Sequence, residues 1–416
     1  MPSAACTPNM TKIFRIATIP LSLNILLNGQ LRFLATFSDI TAVSGAGFDL
    51  DKVAEREGVK IHEISIERKI SIFRDLVSLI RLYRYFRKET PDIIHSITPK
   101  AGLLSMIAGK WAGVPVRIHT FTGLIFPYRR GPMRYLLLSM DRVLCWHATH
   151  IYPEGQGVKD QLQNFRVTAK PLKVLANGNV NGIDTLHFSP DSVTAEAKQT
   201  LRDSLQIKPR DFVFLFVGRL VRDKGIRELV KAFWALEKLL TADPALTGEG
   251  SEPDDALQAQ AEPRLHIRPK LILVGPLEQH LNPLRKETMA LIEKNPNIIT
   301  TGFQDDVRPY MAISDAFVFP SYREGFPNVV LQAGAMEMPA IVTDINGCNE
   351  IVQNRANGLV IPVKDENSLL AAMNEIMRDP SLRTTLTKNL RAEIEEKYSQ
   401  KKVWEALREE YERLAP

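Results

Sequence analysis

Short apolar runs alternate with amphipathic stretches of helical period along nearly the whole chain. KIFRIAT (12–18), DITAV (39–43), PDIIHS (91–96), PVRIHT (115–120) and PLKVLAN (171–177) form a first series of strand-like runs. FVFLFVG (212–218), KLILVG (270–275), NIITTG (297–302), DAFVFP (315–320) and PAIVTD (339–344) form a second. Apolar runs bounded by turn residues and separated by helical stretches predict an α/β protein with parallel sheets. Two series predict two Rossmann-like, doubly wound domains.

Between the series, NGNVNGIDTLHFSPD (177–191) crowds Asn, Gly, Asp and Pro together, so a hinge is expected near residue 190. The first domain then covers 11–190 and the second 191–396, with a C-terminal helix over 397–416 expected to pack on the first. Residues 1–10 read as a disordered leader. TADPALTGEGSEPDDALQAQAEPR (241–264) is acidic, rich in Gly, Pro and Ser and aperiodic, and reads as a flexible insertion between helix and strand. IATIPLSLNILL (16–27) is interrupted by Pro20, Ser22 and Asn24 and has no small-residue cleavage site after it. It falls short of the ~20 residues a spanning helix needs. Strand, loop and helix start is the reading.

A chain of 416 residues with 44% hydrophobic content can bury two sizeable cores. Its formal charge of +5 suits phosphate-bearing ligands or an anionic membrane surface without selecting either. No nucleic-acid partner is expected. Cys6, Cys145 and Cys348 are scattered with no C-x-x-C pair, which excludes a disulfide framework or structural zinc site and fits a reducing, cytoplasmic setting.

In open α/β sheets ligands bind at the carboxyl ends of strands, where helix N-termini offer free N–H groups to phosphates. FVFLFVGRLVRDKGIREL (212–229) ends a strand at Gly218 and places Arg219 and Lys224 on the loop into the next helix. A forked guanidinium and a mobile ammonium suit a pyrophosphate, and two solvated loop cations are the equal alternative on spacing alone. LILVGPLEQ (271–279) repeats the design with Gly275, and Gly302 with Phe303 opens a layout suited to a nucleobase wall or to an ordinary α/β connection. SYREGFPNVVLQAGAMEMPAIVTD (321–344) sets Glu324 and Gly325 before a helix with Pro327 in its first turn, so the N–H groups of Asn328 and Val329 point above the sheet. A carboxylate does not hold a phosphate. Glu324 suits sugar hydroxyls, or serves as an acid at the helix start worth ~0.3–1 kcal/mol.

GRLVRDKGIREL and FVFPSYREGFPNVVLQAGAMEMPAIVTDINGCNEIV resemble the donor-binding half of family 4 retaining glycosyltransferases of the GT-B fold. TPKAGLLSMIAGKWAGVPVRIHTFTG and VLANGNVNGIDTLHFSP in the first half are similar to the same family. The resemblance implies two Rossmann-like domains facing across a cleft and metal-independent hexosyl transfer. The nucleotide sugar is then a co-substrate, with no resident cofactor and no metal. It makes Arg219 and Lys224 pyrophosphate ligands and Glu324 the first acid of the family's paired-glutamate motif, these three being the expected catalytic set. It gives donor contacts to Gly218, Gly275, Gly302, Phe303, Gly325, Phe326, Pro327, Asn328, Val329 and Gln332, and acceptor contacts to His119, Thr122, Gly123 and Glu154.

Two positions depart from the family pattern. Gln332 stands where a glutamate commonly holds the ribose, and an amide can still accept one hydrogen bond while donating another. Thr122 stands where a histidine commonly precedes the glycine, and His119 falls inside the preceding strand. PSYREGFPNVVLQAG is particularly similar to transferases that add N-acetylhexosamine to undecaprenyl-diphosphate sugars, and capsule and O-antigen enzymes share it. The expected acceptor is therefore a lipid-linked saccharide in bacterial surface glycan synthesis. The alternatives are a nucleotide-sugar 2-epimerase and a non-catalytic sugar-nucleotide binder. The pairing of GRLVRDKG with REGFP favours a transferase.

The D-x-D of GFDLDKV (47–53) sits at an expected helix start and reads as capping rather than a metal site. RDLVSLIRLYRYFRKE (74–89) places Arg74, Arg81, Arg84 and Lys88 on one helical face, and GLIFPYRRGPMRYLLLSMDR (123–142) mixes Phe126, Tyr128 and Tyr135 with Arg129, Arg130 and Arg134. Such faces suit peripheral contact with the inner side of a membrane, or a solvated basic surface over an ordinary core. His147 and His150 suit acceptor contact or, equally, a structural role.

Overall fold

The computed structural model describes residues 10–67, 71–242, 268–278 and 282–416. The expected leader up to residue 9 and residues 243–264 of the expected insertion lie outside the described residues. The chain forms two compact units, Met1–Gly182 with Lys397–Pro416, and Ile183–Glu396.

The division thus falls at Gly182 rather than at residue 190. Asn179 Oδ1 accepts from the N–H groups of Asn181 (3.0 Å) and Gly182 (2.7 Å), folding this turn onto the first unit. Gly182 has φ +68°, and a Cβ there would stand 2.8 Å from the carbonyl of Tyr398. The turn-rich segment is therefore spent on joining the C-terminal stretch to the first unit.

The first unit holds six parallel strands, β1 (Lys12–Ile16), β2 (Asp39–Ser44), β3 (Lys60–Glu63), β4 (Ile93–Ser96), β5 (Val116–Phe121) and β6 (His150–Pro153). Their order is β3-β2-β1-β4-β5-β6. Alternating side chains split into two cores. Phe14, Ile16, Ile94 and Phe121 face the helices Ile72–Glu89, Pro99–Ala112 and Pro132–His147. Ile13, Ile93 and Ile118 face Leu23, Leu27 and, from the helix Gln400–Leu414, Leu407 and Tyr411. At the centre of that second face Arg15 is buried, and its Nη1 donates to Tyr411 Oη and to His95 Nδ1, both at 2.6 Å. Burial and the adjacent guanidinium hold His95 well below the ordinary histidine range, so its ring stays neutral and able to accept.

PLKVLAN is not a strand. Leu172 makes a single bridge to Ile151, and Lys173 turns instead to Glu410 of the C-terminal helix at 2.7 Å. The expected D-x-D lies in the first turn of the helix Phe48–Glu57, whose N-cap is Gly47 without a side-chain cap, and Asp49 accepts from Asn24 at 2.9 Å. The two acids therefore act on the helix end through charge rather than as caps.

The second unit holds β7 (Asp211–Val217), β8 (Arg268–Val274), β9 (Ile298–Gly302), β10 (Ala316–Phe319), β11 (Ala340–Thr343) and β12 (Leu359–Ile361). These six strands are also parallel and run in the order β12-β11-β10-β7-β8-β9. Counted from its own first strand, this is the same winding as the first sheet. All seven residues of β7 are buried, as the apolar run Phe212–Val217 requires of a central strand. Each sheet reverses its winding direction between its first and fourth strands, which is where an open α/β sheet leaves a crevice.

Candidate functional site

In the second unit that crevice lies where β7 and β10 end. A short turn, Arg222–Lys224, follows β7, and Pro320 to Gly325 follow β10. The two exits touch at Gly225, whose φ is +70° and where a Cβ would collide with the Pro320 carbonyl. Only glycine meets both demands.

This approach brings Lys224 and Glu324 together. Lys224 Nζ donates to Glu324 Oε1, and each side chain is 16% exposed. Ser321, fully buried, donates from Oγ to the same carboxylate oxygen at 2.7 Å, and Thr343 donates from Oγ1 to the Ser321 carbonyl. Lys224 Nζ also stands 5.1 Å from the centre of the Phe319 ring. Cys348 is buried close by, its thiol pushed well up by burial and by the Glu324 charge, so it remains protonated and inert. A half-open ion pair held against an aromatic floor can exchange partners with an arriving anion and a polyol.

Arg219 leaves the same strand exit but is not part of that pair. Its Nη1 donates to Glu278 Oε2 at 2.8 Å, and half of its side chain is exposed. Glu278 lies on the exit of β8, three residues after Gly275. The N–H of Gly275 donates to the Gly302 carbonyl at 2.8 Å, joining the exits of β8 and β9, where Leu277 and Phe303 are exposed apolar side chains.

The helix after β10 runs Asn328–Ala335, with Pro327 as its N-cap in extended conformation. Pro327 therefore stands one position ahead of the expected first turn, because its ψ of 106° is not helical. Phe326 is buried, and Gly347 packs against Gly325, Phe326 and Pro327 so closely that a Cβ there would clash with all three. Gln332 lies on this helix, one turn beyond Asn328, and is half-buried.

In the first unit Thr122, Gly123 and Glu154 gather at the carboxyl ends of β5 and β6. The Thr122 hydroxyl donates to the Ile97 carbonyl at 3.4 Å, and the Glu154 N–H donates to Phe121 at 2.9 Å. His119 does not join them. It is 1% exposed, its Nδ1 is bonded to Ser96 Oγ at 2.8 Å, and its ring stands edge-on to Phe121. Burial pushes it down to about 3. The expected acceptor contact at His119 is corrected to a neutral core histidine, because strand alternation turns it inward.

Ser321, Asp223, Arg323 and Glu278 were not singled out by sequence reasoning. They are ordinary polar loop residues, and the only signal for two of them, Asp223 and Arg323, is adjacency to Lys224 and Glu324.

Residues 197–393 match the family model of glycosyl transferases group 1, and residues 35–178 match the glycosyl transferase 4-like domain. The chain is 30% identical over 404 residues to the capsular polysaccharide biosynthesis glycosyltransferase CapM of Staphylococcus aureus, with 96% of each chain covered. It is 27% identical over 339 residues to the UDP-Gal:alpha-D-GlcNAc-diphosphoundecaprenol alpha-1,3-galactosyltransferase of Escherichia coli, covering 79% of this chain and 76% of that one. Its fold is similar to that of Anabaena HepE solved with UDP and glucose, with a TM-score of 0.76 at 18% identity over 97% of this chain and 100% of that one. Two matched domain models and near full-length likeness to CapM establish that the chain is a glycosyltransferase and belongs to family 4, the retaining enzymes of the GT-B fold.

Proposed function

We propose that this chain transfers a hexose or N-acetylhexosamine from a nucleotide sugar to a saccharide carried on a lipid diphosphate, in the synthesis of a bacterial surface polysaccharide. The observation that carries the reading is the Lys224–Glu324 pair at the crevice between β7 and β10, with Arg219 on the same strand exit. The names of the relatives from Staphylococcus aureus and Escherichia coli, a capsular transferase and a transferase to a diphosphoundecaprenol-linked sugar, support the acceptor class.

Glycosyl transfer passes through an oxocarbenium-like state while a nucleoside diphosphate departs, so the main electrostatic demand is to stabilise charge on the diphosphate. In this reading Lys224 turns from Glu324 to the diphosphate, and Arg219 exchanges the Glu278 carboxylate for a phosphate oxygen. The N-terminal N–H groups of the helix Asn328–Ala335 add to the same field. Glu324, released from Lys224, accepts from hydroxyls of the donor sugar, and Gln332 bonds the ribose. Phe303 supplies an apolar face to the base. Gly218, Gly275, Gly302 and Gly325 admit the ligand close to the backbone, with Phe326, Pro327, Asn328 and Val329 lining the diphosphate. Thr122, Gly123 and Glu154 meet the acceptor. The nucleotide sugar is the co-substrate, and the reading calls for no cofactor or metal.

No helix among the described residues is long and apolar enough to cross a membrane. The reading places the chain in the cytoplasm, in peripheral contact with the inner face of the membrane through its first unit. On the helix Ile72–Glu89, Ile72 and Phe73 are 86% and 77% exposed, while Arg74, Arg81, Arg84 and Lys88 are exposed along the same helix. Exposed Tyr135 and Leu136 on the helix Pro132–His147 lie near exposed Arg129 and Arg130 in sequence. Apolar side chains among cations fit an anionic lipid surface.

A screen of nucleotide sugars with membrane extracts, following nucleoside diphosphate release and product mass, tests the reading. A glycosylated lipid product is expected. An epimerised nucleotide sugar without transfer would overturn it.

A further inference from the structure

Resting on the donor-site reading above, we infer that the Asp223–Arg323 ion pair is a positioning device that keeps the two loops of the crevice in register when the Lys224–Glu324 pair opens. Arg323 donates from Nε and Nη2 to one oxygen of Asp223, at 3.1 and 2.7 Å. The Asp223 carbonyl accepts from the Tyr322 N–H at 2.8 Å, and Ser321 Oγ, whose proton goes to Glu324, lies 3.2 Å from it. Residue 223 thus takes hydrogen bonds from two successive residues of the facing loop, Tyr322 and Arg323.

The charges alternate. Asp223 precedes Lys224 on one loop and Arg323 precedes Glu324 on the other, so each loop gives one acid and one base and the two ion pairs lie side by side. Burial alone would raise the Asp223 carboxyl, but the Arg323 guanidinium, a hydrogen bond from Asn282 and the Lys224 charge together hold it below the usual carboxylate range. The pair is therefore charged at neutral pH.

A donor diphosphate draws Lys224 away from Glu324, and the sugar takes the freed carboxylate. The neighbouring Asp223–Arg323 pair then holds one loop to the other beside the Tyr322 N–H bond to the Asp223 carbonyl. Its loss displaces Lys224 and Glu324 relative to each other. Small displacements of groups that act only at the transition state lower kcat more than they raise KM.

The experiment measures nucleoside diphosphate release by Asp223→Asn, Arg323→Gln, the double variant and Arg323→Lys, with thermal melts of each. Both single variants are expected to lose about tenfold in kcat with KM for the nucleotide sugar within about twofold, since a misaligned charge pair costs mainly at the transition state. Because the two residues act as one unit, the double variant is expected to lose no more than either single one. Arg323→Lys is expected to recover most of the rate, because both guanidinium bonds go to a single oxygen that one ammonium can reach. Wild-type kcat in both single variants, losses that multiply in the double variant, or rate losses that only track a lowered Tm would each overturn the inference. Lys224→Ala separates the levels: turnover retained there removes the donor site and this device with it, whereas turnover lost there beside wild-type Arg323→Gln removes the device alone.

Discussion

Lys224 and Glu324 stand 100 residues apart in the chain and form one hydrogen-bonded ion pair, each side chain being 16% exposed. A largely buried ion pair adds little net stability, because desolvation of both charges offsets much of their attraction. Its value lies in preorganisation: the parallel strands β7 and β10 fix both charges where a diphosphate and a sugar would meet them. Lys224→Ala is therefore expected to keep the fold and to lose about 100-fold or more in donor turnover, as removal of a preorganised transition-state charge does. Nucleoside diphosphate release with acceptor present checks it, and an unchanged rate removes Lys224 from the site.

Gln332 offers a gain-of-function test. It lies one turn into the helix that starts at Asn328, where the family commonly has a glutamate. An amide gives one acceptor atom, whereas a carboxylate gives two and makes charge-assisted hydrogen bonds that are roughly twice as strong. Gln332→Glu is expected to lower the Kd of the nucleotide sugar about threefold to tenfold, roughly the difference between a neutral and a charged hydrogen bond. Calorimetric titration decides it. No change in either affinity or turnover would separate Gln332 from the ribose.

The sequence made the sheets legible because the central strands are buried on both faces and so carry apolar runs; Phe212–Val217 of β7 is the clearest case. It was weakest where burial is partial. β3 has exposed or half-exposed residues throughout, and β12 is three residues long, so neither leaves a run to detect. PLKVLAN has the alternation of a strand, but its Lys173 is committed to Glu410 and no ladder forms. In the site, Lys224 and Glu324 were legible one at a time. Their pairing, and the service of Ser321, Asp223 and Arg323 to it, depend on which strand ends become neighbours, and no local pattern encodes that.

The C-terminal helix should respond to acid through Glu410. Burial alone would raise its carboxyl, but hydrogen bonds from Arg413, Lys173 and Tyr152 bring it down from 4.5 to about 2. Because the folded value lies below the unfolded one, this stabilisation is complete above about pH 4.5 and is lost as pH falls toward about 2. Glu410→Gln is expected to lower Tm by about 3 °C near neutral pH. The gap from the wild type should close as pH falls through that window. A gap independent of pH would mean that packing, not charge, ties this helix down.

Membrane contact is testable on exposed apolar side chains of the first unit. Ile72 and Phe73 are exposed on the first turn of their helix, while Leu79, Leu82 and Phe86 hold it to the core. The double variant Ile72→Ser with Phe73→Ser should fold normally. Each large apolar side chain buried in lipid contributes about 1.5–3 kcal/mol, so partition to anionic phospholipid vesicles should fall at least about tenfold. Salt should weaken the binding of both proteins through the arginines. Equal sedimentation with vesicles by variant and wild type would remove this surface.

Gly225 tests whether the approach of the two loops, rather than the ion pair alone, makes the site. Its backbone is left-handed at φ +70°, and any Cβ would run into the Pro320 carbonyl. Gly225→Ala therefore has to displace one strand exit from the other, and the strain belongs to a class that costs on the order of 1–3 kcal/mol. Lys224 directly precedes Gly225 on one loop and Glu324 lies four residues past Pro320 on the other, so the displacement falls between the paired charges. The variant is expected to lose donor turnover nearly as fully as Lys224→Ala, although every charged side chain remains. If it melts lower but turns over like the wild type, the loops' separation is not what sets the chemistry, and the pair reforms across a wider gap.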